Sequence, residues 1–117
     1  MYALRSVLAG GLIALLAVAA PAATAAPSGA STTIKAATGG QSFIFSPAHK
    51  TVKVGTKVTW TNPTAAPHTV TSKTKTWKFD KPLDQGKTVT FTFKKAGTYL
   101  YKCTFHPGMV GKIVVKM

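Results

Sequence analysis

The sequence has a single cysteine, no glutamate, two aspartates and one arginine among its 117 residues. With Cys103 alone, the chain cannot form an internal disulfide. The two acids, Asp80 and Asp84, lie in one polar stretch, and no carboxylate pair or Ser–His–Asp set for catalysis is present. Arginine is the usual reader of base edges, and its only copy is Arg5. We therefore expect neither an enzyme nor a nucleic-acid partner.

The first 25 residues have the pattern of a signal peptide. Arg5 supplies a positive charge, residues 7–20 form an apolar run, and Ala23-Thr24-Ala25 is a small-x-small cleavage pattern. We predict cleavage after Ala25; an uncleaved membrane anchor is the alternative. Without a twin-arginine pair, the pattern indicates the general secretory route to a periplasmic, extracellular or cell-surface location. Since no second apolar run follows, no membrane segment is expected after cleavage.

Lysine dominates the charge of what remains. Residues 26–31 are small and are predicted to be a flexible tether, and residues 32–117 are predicted to be one domain. All fourteen lysines follow the signal peptide, and the whole chain has a formal net charge of +13. Such a field attracts anionic partners. It is interpreted either as a docking surface for an acidic partner or as a solvated surface that aids solubility or wall association.

Short alternating segments separated by turn signals divide the domain into strands. In residues 98–103, for example, Tyr99, Tyr101 and Cys103 share one face. Beyond the signal peptide no segment has a helical period, and residues 73–86 are predicted to be irregular. The predicted strands are residues 31–35, 41–46, 51–54, 57–62, 68–72, 87–93, 98–103 and 111–116. Six to eight such strands predict an all-β fold, an antiparallel β-sandwich with Greek-key connections.

The segment CTFHPGM at the end of the strand at 98–103 contains the clearest chemical pattern. Cys103, His106 and Met109 are spaced by three residues, and Pro107 and Gly108 allow a turn that brings them to one point. Thiolate, imidazole and thioether form a soft donor set that favours copper, especially Cu(I). Zinc would prefer further thiolate or imidazole. Without a metal, burial or an intermolecular disulfide would have to protect the lone thiol.

A fourth ligand is expected from another part of the chain. His68 follows Pro67 at the start of a predicted strand, and loops at one end of a sandwich converge, so it can reach the loop of residues 104–109. His68, Cys103 and His106 with a weak axial Met109 correspond to the trigonal set of a blue copper site. The third histidine, His49, lies between predicted strands and is predicted to be a surface residue.

Three segments resemble the cupredoxins, small type 1 copper proteins of the plastocyanin and amicyanin group. They are FSPAHKTVKVGTKVTWTN (45–62), PHTV (67–70) and GTYLYKCTFHPGMVGKIVV (97–115), and the resemblance covers residues 32–117. The two-residue gap between His106 and Met109 is amicyanin-like. The resemblance implies the cupredoxin fold and one type 1 copper ion held by His68, Cys103, His106 and Met109.

Two residues depart from the family pattern. Thr69 replaces the asparagine that usually follows the first histidine and pins the two ligand loops together, so we expect either a looser clamp or a different pairing, for example with Thr104. Phe105 stands where amicyanin has proline. Unlike proline, Phe105 has an N–H that can donate to the Cys103 sulfur. Such a bond would favour Cu(I) and raise the reduction potential.

The expected function is single-electron transfer between redox partners, one of them acidic, by a monomer. The edge of His106 is the expected electron port, within a small apolar rim formed by Ala65, Ala66, Pro67, Pro107 and Gly108. The alternative is a cell-envelope copper-binding or copper-delivery protein without a redox cycle. A third possibility is an adhesive or wall-binding domain with a vestigial site.

Overall fold

A computed structural model describes residues 30–117 of the chain. The predicted signal peptide, residues 1–25, and residues 26–29 of the predicted tether lie outside the described residues, whereas Ser31 is the first residue of a strand. The described strands are β1 Ser31–Gly39, β2 Ser42–Ser46, β3 His49–Lys53, β4 Thr56–Thr61, β5 His68–Ser72, β6 Asp80–Leu83, β7 Thr88–Phe93, β8 Gly97–Lys102 and β9 Val110–Lys116. Over residues 30–117, no helix has the length and apolar character needed to cross a membrane.

These strands form two sheets, with orders β2-β1-β4-β7 and β3-β9-β8-β5-β6. The predicted all-β sandwich is confirmed. Five of the ladders are antiparallel, whereas β1–β4 and β3–β9 are parallel. The parallel pairs arise because the chain crosses from the first sheet to β3 and back to β4. Strand patterns fix which face is buried but carry no information on ladder direction, so the sequence could not predict these two pairs.

One strand lies inside the stretch that was predicted to be irregular. β6 occupies the edge of its sheet, three of its four residues are exposed, and it contains Pro82, which edge strands tolerate. It therefore lacks the alternation that identifies the other strands. Leu83, its buried residue, pairs with His68 across the ladder, so this short edge strand supports one of the candidate ligands.

The alternating apolar residues meet between the sheets in an aromatic core. The Tyr101 ring lies edge-on to Trp60 at 5.4 Å and to Phe45 at 4.8 Å between ring centroids. Trp77 stacks on Phe79 at 5.0 Å and covers one side of the core. Because buried Tyr101 precedes Cys103 by two residues, the core fixes the strand end from which the candidate site begins.

We predict that Gly111→Ala destabilises the fold. Gly111 pairs with Tyr101 across the β8–β9 ladder, and a Cβ at this position would overlap the Tyr101 ring. Because a packed aromatic core has little room to shift, the free energy of unfolding should fall by about 1–3 kcal/mol or more. Denaturant unfolding of the metal-free protein measures this change.

The matched control is Gly39→Ala, in β1. Its added Cβ would meet only the side chain of Ile44, at 3.1 Å, and Ile44 is exposed and can move. The control should change the free energy of unfolding by no more than about 0.5 kcal/mol. Equal losses in the two variants would contradict the proposed overlap with Tyr101.

Candidate metal centre

Three of the four predicted ligands converge on one point. His68 is the first residue of β5, Cys103 directly follows β8, and His106 lies in the loop that leads to β9. Their ligand atoms lie within 4.8 Å of one another. His68 Nδ1 is 3.2 Å from His106 Nδ1, and Cys103 Sγ is 3.4 Å from His106 Nδ1 and 3.8 Å from His68 Nδ1. One ion can touch all three atoms, since metal bonds to nitrogen and sulfur are about 2.0–2.3 Å long.

The loop of residues 103–109 folds back on itself through backbone hydrogen bonds. The Cys103 N–H donates to the Met109 carbonyl at 2.9 Å, and the Met109 N–H donates to the His106 carbonyl at 3.0 Å. Gly108 has a φ of 87°, a left-handed conformation that glycine adopts without strain. Met109 is only 1% exposed. The backbone therefore brings the buried methionine beside the cysteine, on the inner side of the loop.

Burial disfavours the protonated form of the His68 imidazole. The His68 side chain is 0% exposed. Burial, followed by the proximity of His106, lowers the pKa of His68 below its usual value of 6.5. A neutral imidazole offers a lone pair to a metal, whereas a protonated one does not. His106 is only half-buried and reaches the surface of the site.

Thr69 and Thr104 join the two loops that carry the ligands. The Thr104 N–H donates to Thr69 Oγ1 at 2.9 Å, and the two hydroxyl oxygens lie 3.2 Å apart. Thr69 Oγ1 also lies 2.9 Å from Thr71 Oγ1, and Thr71 donates to Asp80 Oδ1 at 2.9 Å. Because Thr71 donates its single hydroxyl hydrogen to the Asp80 carboxylate, Thr69 must donate to Thr71. The hydrogen bonds along this row of threonines are therefore all donated in one direction, from the ligand loop toward Asp80.

The cysteine sulfur accepts its hydrogen bond from Thr69, not from Phe105. The Thr69 N–H lies 3.4 Å from Cys103 Sγ. Within residues 30–117, no hydrogen bond joins the Phe105 N–H to that sulfur, and the Phe105 side chain is 57% exposed. The hydrogen bond on which the hypothesis of a raised reduction potential depends is therefore not found among residues 30–117.

The residues predicted to surround His106 lie on the surface. Pro67, Pro107 and Gly108 are all exposed, with Ala65 exposed and Ala66 half-buried. Exposed Phe105 in the loop of residues 103–109 and exposed Val110 at the start of β9 add further apolar surface. His49 is exposed as predicted, although it begins β3 rather than lying between strands.

Sequence reasoning missed two residues that contact the histidines and a third that binds one of these two. Thr64 Oγ1 lies 2.9 Å from His68 Nε2, and Asn62 in turn binds Thr64. The Phe43 ring centroid lies 4.9 Å from that of His68 and 4.7 Å from that of His106. The pair Asn62-Pro63 predicts a turn but not its contacts. Phe43 has the pattern of any strand residue, so no signal in a single sequence could have marked it.

The chemistry of the donors identifies the metal. Two imidazole nitrogens, one thiolate and one thioether form the soft set that suits copper and that other first-row ions satisfy less well. Among the described residues the cluster contains no carboxylate, so nothing in it favours a hard cation. The cofactor that this site fits is one copper ion.

The metal-free protein should lose stability as the pH falls through 6.5. The pKa of His68 is lowered in the folded state, so below pH 6.5 the unfolded chain takes up a proton that the folded chain resists. The free energy of unfolding must then fall with falling pH, by less than about 1.4 kcal/mol per pH unit, the limit for one proton. Urea unfolding of the metal-free protein across this range measures the slope.

Two variants separate His68 from the other titrating groups. In His68→Gln the pH dependence in this range should flatten, because the residue that resists protonation is gone. In His49→Gln, which removes an exposed histidine outside the site, the slope should remain. A slope that survives His68→Gln undiminished would contradict the assignment.

Comparisons with known proteins agree with this geometry. The family model of the cupredoxin-like domain matches residues 8–115. Amicyanin-alpha of Methylorubrum extorquens is 42% identical over 69 residues, which cover 56% of this chain and 58% of that protein. Plastocyanin of Tetradesmus obliquus is 35% identical over 86 residues, covering 63% and 59%. The chain thus spans less than two thirds of the length of these curated relatives.

Solved structures show the same likeness in three dimensions. A purple cupredoxin from Nitrosopumilus maritimus is 33% identical, with a TM-score of 0.63 over 73% of this chain and 99% of that one. An oxidised amicyanin variant is 31% identical, with a TM-score of 0.66 over 74% of this chain and 82% of that one. The resemblance predicted from the three sequence segments is confirmed. The chain belongs to the cupredoxin-like domain family.

Proposed function

We propose that this protein is an exported blue copper protein that carries single electrons between redox partners. The observation that supports this most directly is the convergence of His68 Nδ1, His106 Nδ1 and Cys103 Sγ within 4.8 Å. These three residues would hold the copper ion, and Met109 is the proposed fourth, weaker ligand. When bound, copper supplies the Cu(I)/Cu(II) couple that takes up and releases one electron.

The surrounding residues suit electron transfer because they hold the donors in place. Three of the four donors are held by hydrogen bonds to their neighbours: Cys103 by Thr69, His68 by Thr64, and Met109 by backbone hydrogen bonds of the loop. A site whose ligands do not rearrange can change charge with little reorganisation. Four protein donors also leave no obvious place for a substrate, so we propose electron transfer without catalysis by this chain.

The partner is proposed to dock where His106 reaches the surface. The exposed rim of Pro67, Pro107 and Gly108 gives a small apolar contact of the size that transient redox encounters need. Exposed Lys102 precedes Cys103, and Lys87 lies in the turn bonded to Asn62. The formal net charge of +13 favours an acidic partner. We propose that the protein meets it as a monomer.

The proposed location is outside the cytoplasm, in the periplasm or at the cell surface. It depends on the signal-peptide pattern of residues 1–25 and on the secretory route that this pattern indicates. The unpaired cysteine is compatible with an oxidising compartment because Cys103 is buried and has a metal site to protect it.

Copper titration of the purified protein tests the proposed ligands. We expect an intense blue thiolate-to-copper absorption band that saturates at one Cu(II) per chain and a reversible one-electron couple by voltammetry. Cys103→Ser should abolish the band, because the band requires the thiolate. His49→Gln, which alters a histidine outside the cluster, should leave both the band and the couple unchanged.

Two results would contradict the proposal. A pale product without a thiolate band would show that the site does not assemble as a blue copper centre. A blue product that loses its copper on each reduction would favour copper binding or delivery over electron transfer, because a carrier must retain the metal through repeated cycles.

A further inference from the structure

Asn62 is a buried residue whose side-chain polar atoms all form hydrogen bonds. Its side chain is 1% exposed. The Nδ2 amide donates to the carbonyls of Ala66 at 2.7 Å and Leu83 at 2.8 Å, and Oδ1 accepts from the Thr64 N–H at 2.9 Å. Two carbonyl acceptors fix which end of the amide is nitrogen. Asn62 therefore joins the loop of residues 62–67 to the end of β6.

The direction of the next hydrogen bond follows from the single hydrogen of the Thr64 hydroxyl. Thr64 Oγ1 lies 2.6 Å from Asn62 Oδ1, a distance at which two oxygens must share a hydrogen. Asn62 Oδ1 has none to give, so Thr64 donates. The Thr64 oxygen must then accept from His68 Nε2, which lies 2.9 Å away.

This direction sets the tautomer of His68. If Nε2 carries the hydrogen, Nδ1 of the neutral ring carries the lone pair. Nδ1 is the nitrogen that faces His106 Nδ1 at 3.2 Å and Cys103 Sγ at 3.8 Å. The nitrogen turned toward the cluster is thus the one able to bind a metal.

We propose that Asn62 and Thr64 are positioning residues that hold His68 as the Nε2-protonated tautomer, with Nδ1 ready for copper before the metal arrives. The proposal rests on the proposed function, since it takes the cluster to be a copper site. Histidine ligands in proteins commonly donate their second N–H to a carboxylate or carbonyl, which fixes ring and tautomer. Here a neutral threonine–asparagine pair takes that role.

The test compares two variants of Thr64 with one control variant at another threonine. Thr64→Val removes the hydroxyl and keeps the shape, whereas Thr64→Ser keeps the hydroxyl. Thr74→Val removes a loop hydroxyl that pairs with Thr76 Oγ1 at 2.8 Å, outside the cluster. Should Thr64→Val fail to fold, Thr64→Ala makes the same deletion with a smaller side chain.

The first measurement needs no copper. Long-range proton–nitrogen NMR of the metal-free protein reports which ring nitrogen of His68 carries hydrogen. We expect Nε2–H in the parent, Thr64→Ser and Thr74→Val, and a mixture of tautomers in Thr64→Val. A parent with hydrogen on Nδ1, or an unchanged tautomer in Thr64→Val, would overturn the proposal.

The second measurement is Cu(I) affinity by competition with a chelator. Loss of an orienting hydrogen bond to a ligand typically costs about 10–100-fold in metal affinity, and we expect this loss in Thr64→Val but not in Thr64→Ser. An equal loss in Thr74→Val would show a general effect of stability and overturn the positioning role. Both measurements can still be made if the parent protein binds copper but shows no reversible one-electron couple. That result would count against the proposed function and not against the positioning role.

Discussion

The hydrogen bond from the Cys103 N–H to the Met109 carbonyl closes the loop on which the rest of the site depends. It lies just beyond the last paired residues of β8 and β9, Lys102 and Val110. The antiparallel ladder thus continues for one further bond, and the five residues between Cys103 and Met109 are confined to a short arc. His106 occupies the middle of that arc. A ladder inside a packed core thereby sets the positions of three donors, which a free heptapeptide could not hold.

The fourth donor comes from a separate part of the sandwich, and neutral hydrogen bonds bring it into position. His68 begins β5, between Pro67 and the buried Thr69. Leu83 of β6 pairs with it on one side, and Cys103 approaches from β8 on the other. β5 lies between β6 and β8 in the sheet order, so both contacts follow from topology.

Much of this arrangement could be predicted from the sequence, and the limits have physical causes. Alternation identified the buried face of β8, that of Tyr99 and Tyr101, because period two depends only on local composition. The spacing of Cys103, His106 and Met109 identified the loop because its ligands are close in sequence. Ladder direction, the edge strand β6 and the contacts of Phe43 depend on residues far apart in the chain. Whether the Phe105 N–H reaches the Cys103 sulfur likewise depends on how the loop folds, which the order of residues does not fix.

The low number of acidic residues and the neutral hydrogen-bond partners of His68 have a common consequence. The chain has two carboxylates, and one of them, Asp80, ends the threonine row that begins beside the ligand loop. A carboxylate placed directly on His68 Nε2 would raise the basicity of the ring and add negative charge beside the Cys103 thiolate. Thr64, which is itself hydrogen-bonded to Asn62, binds the same nitrogen without adding that charge. The protein thereby orients the buried His68 with neutral groups.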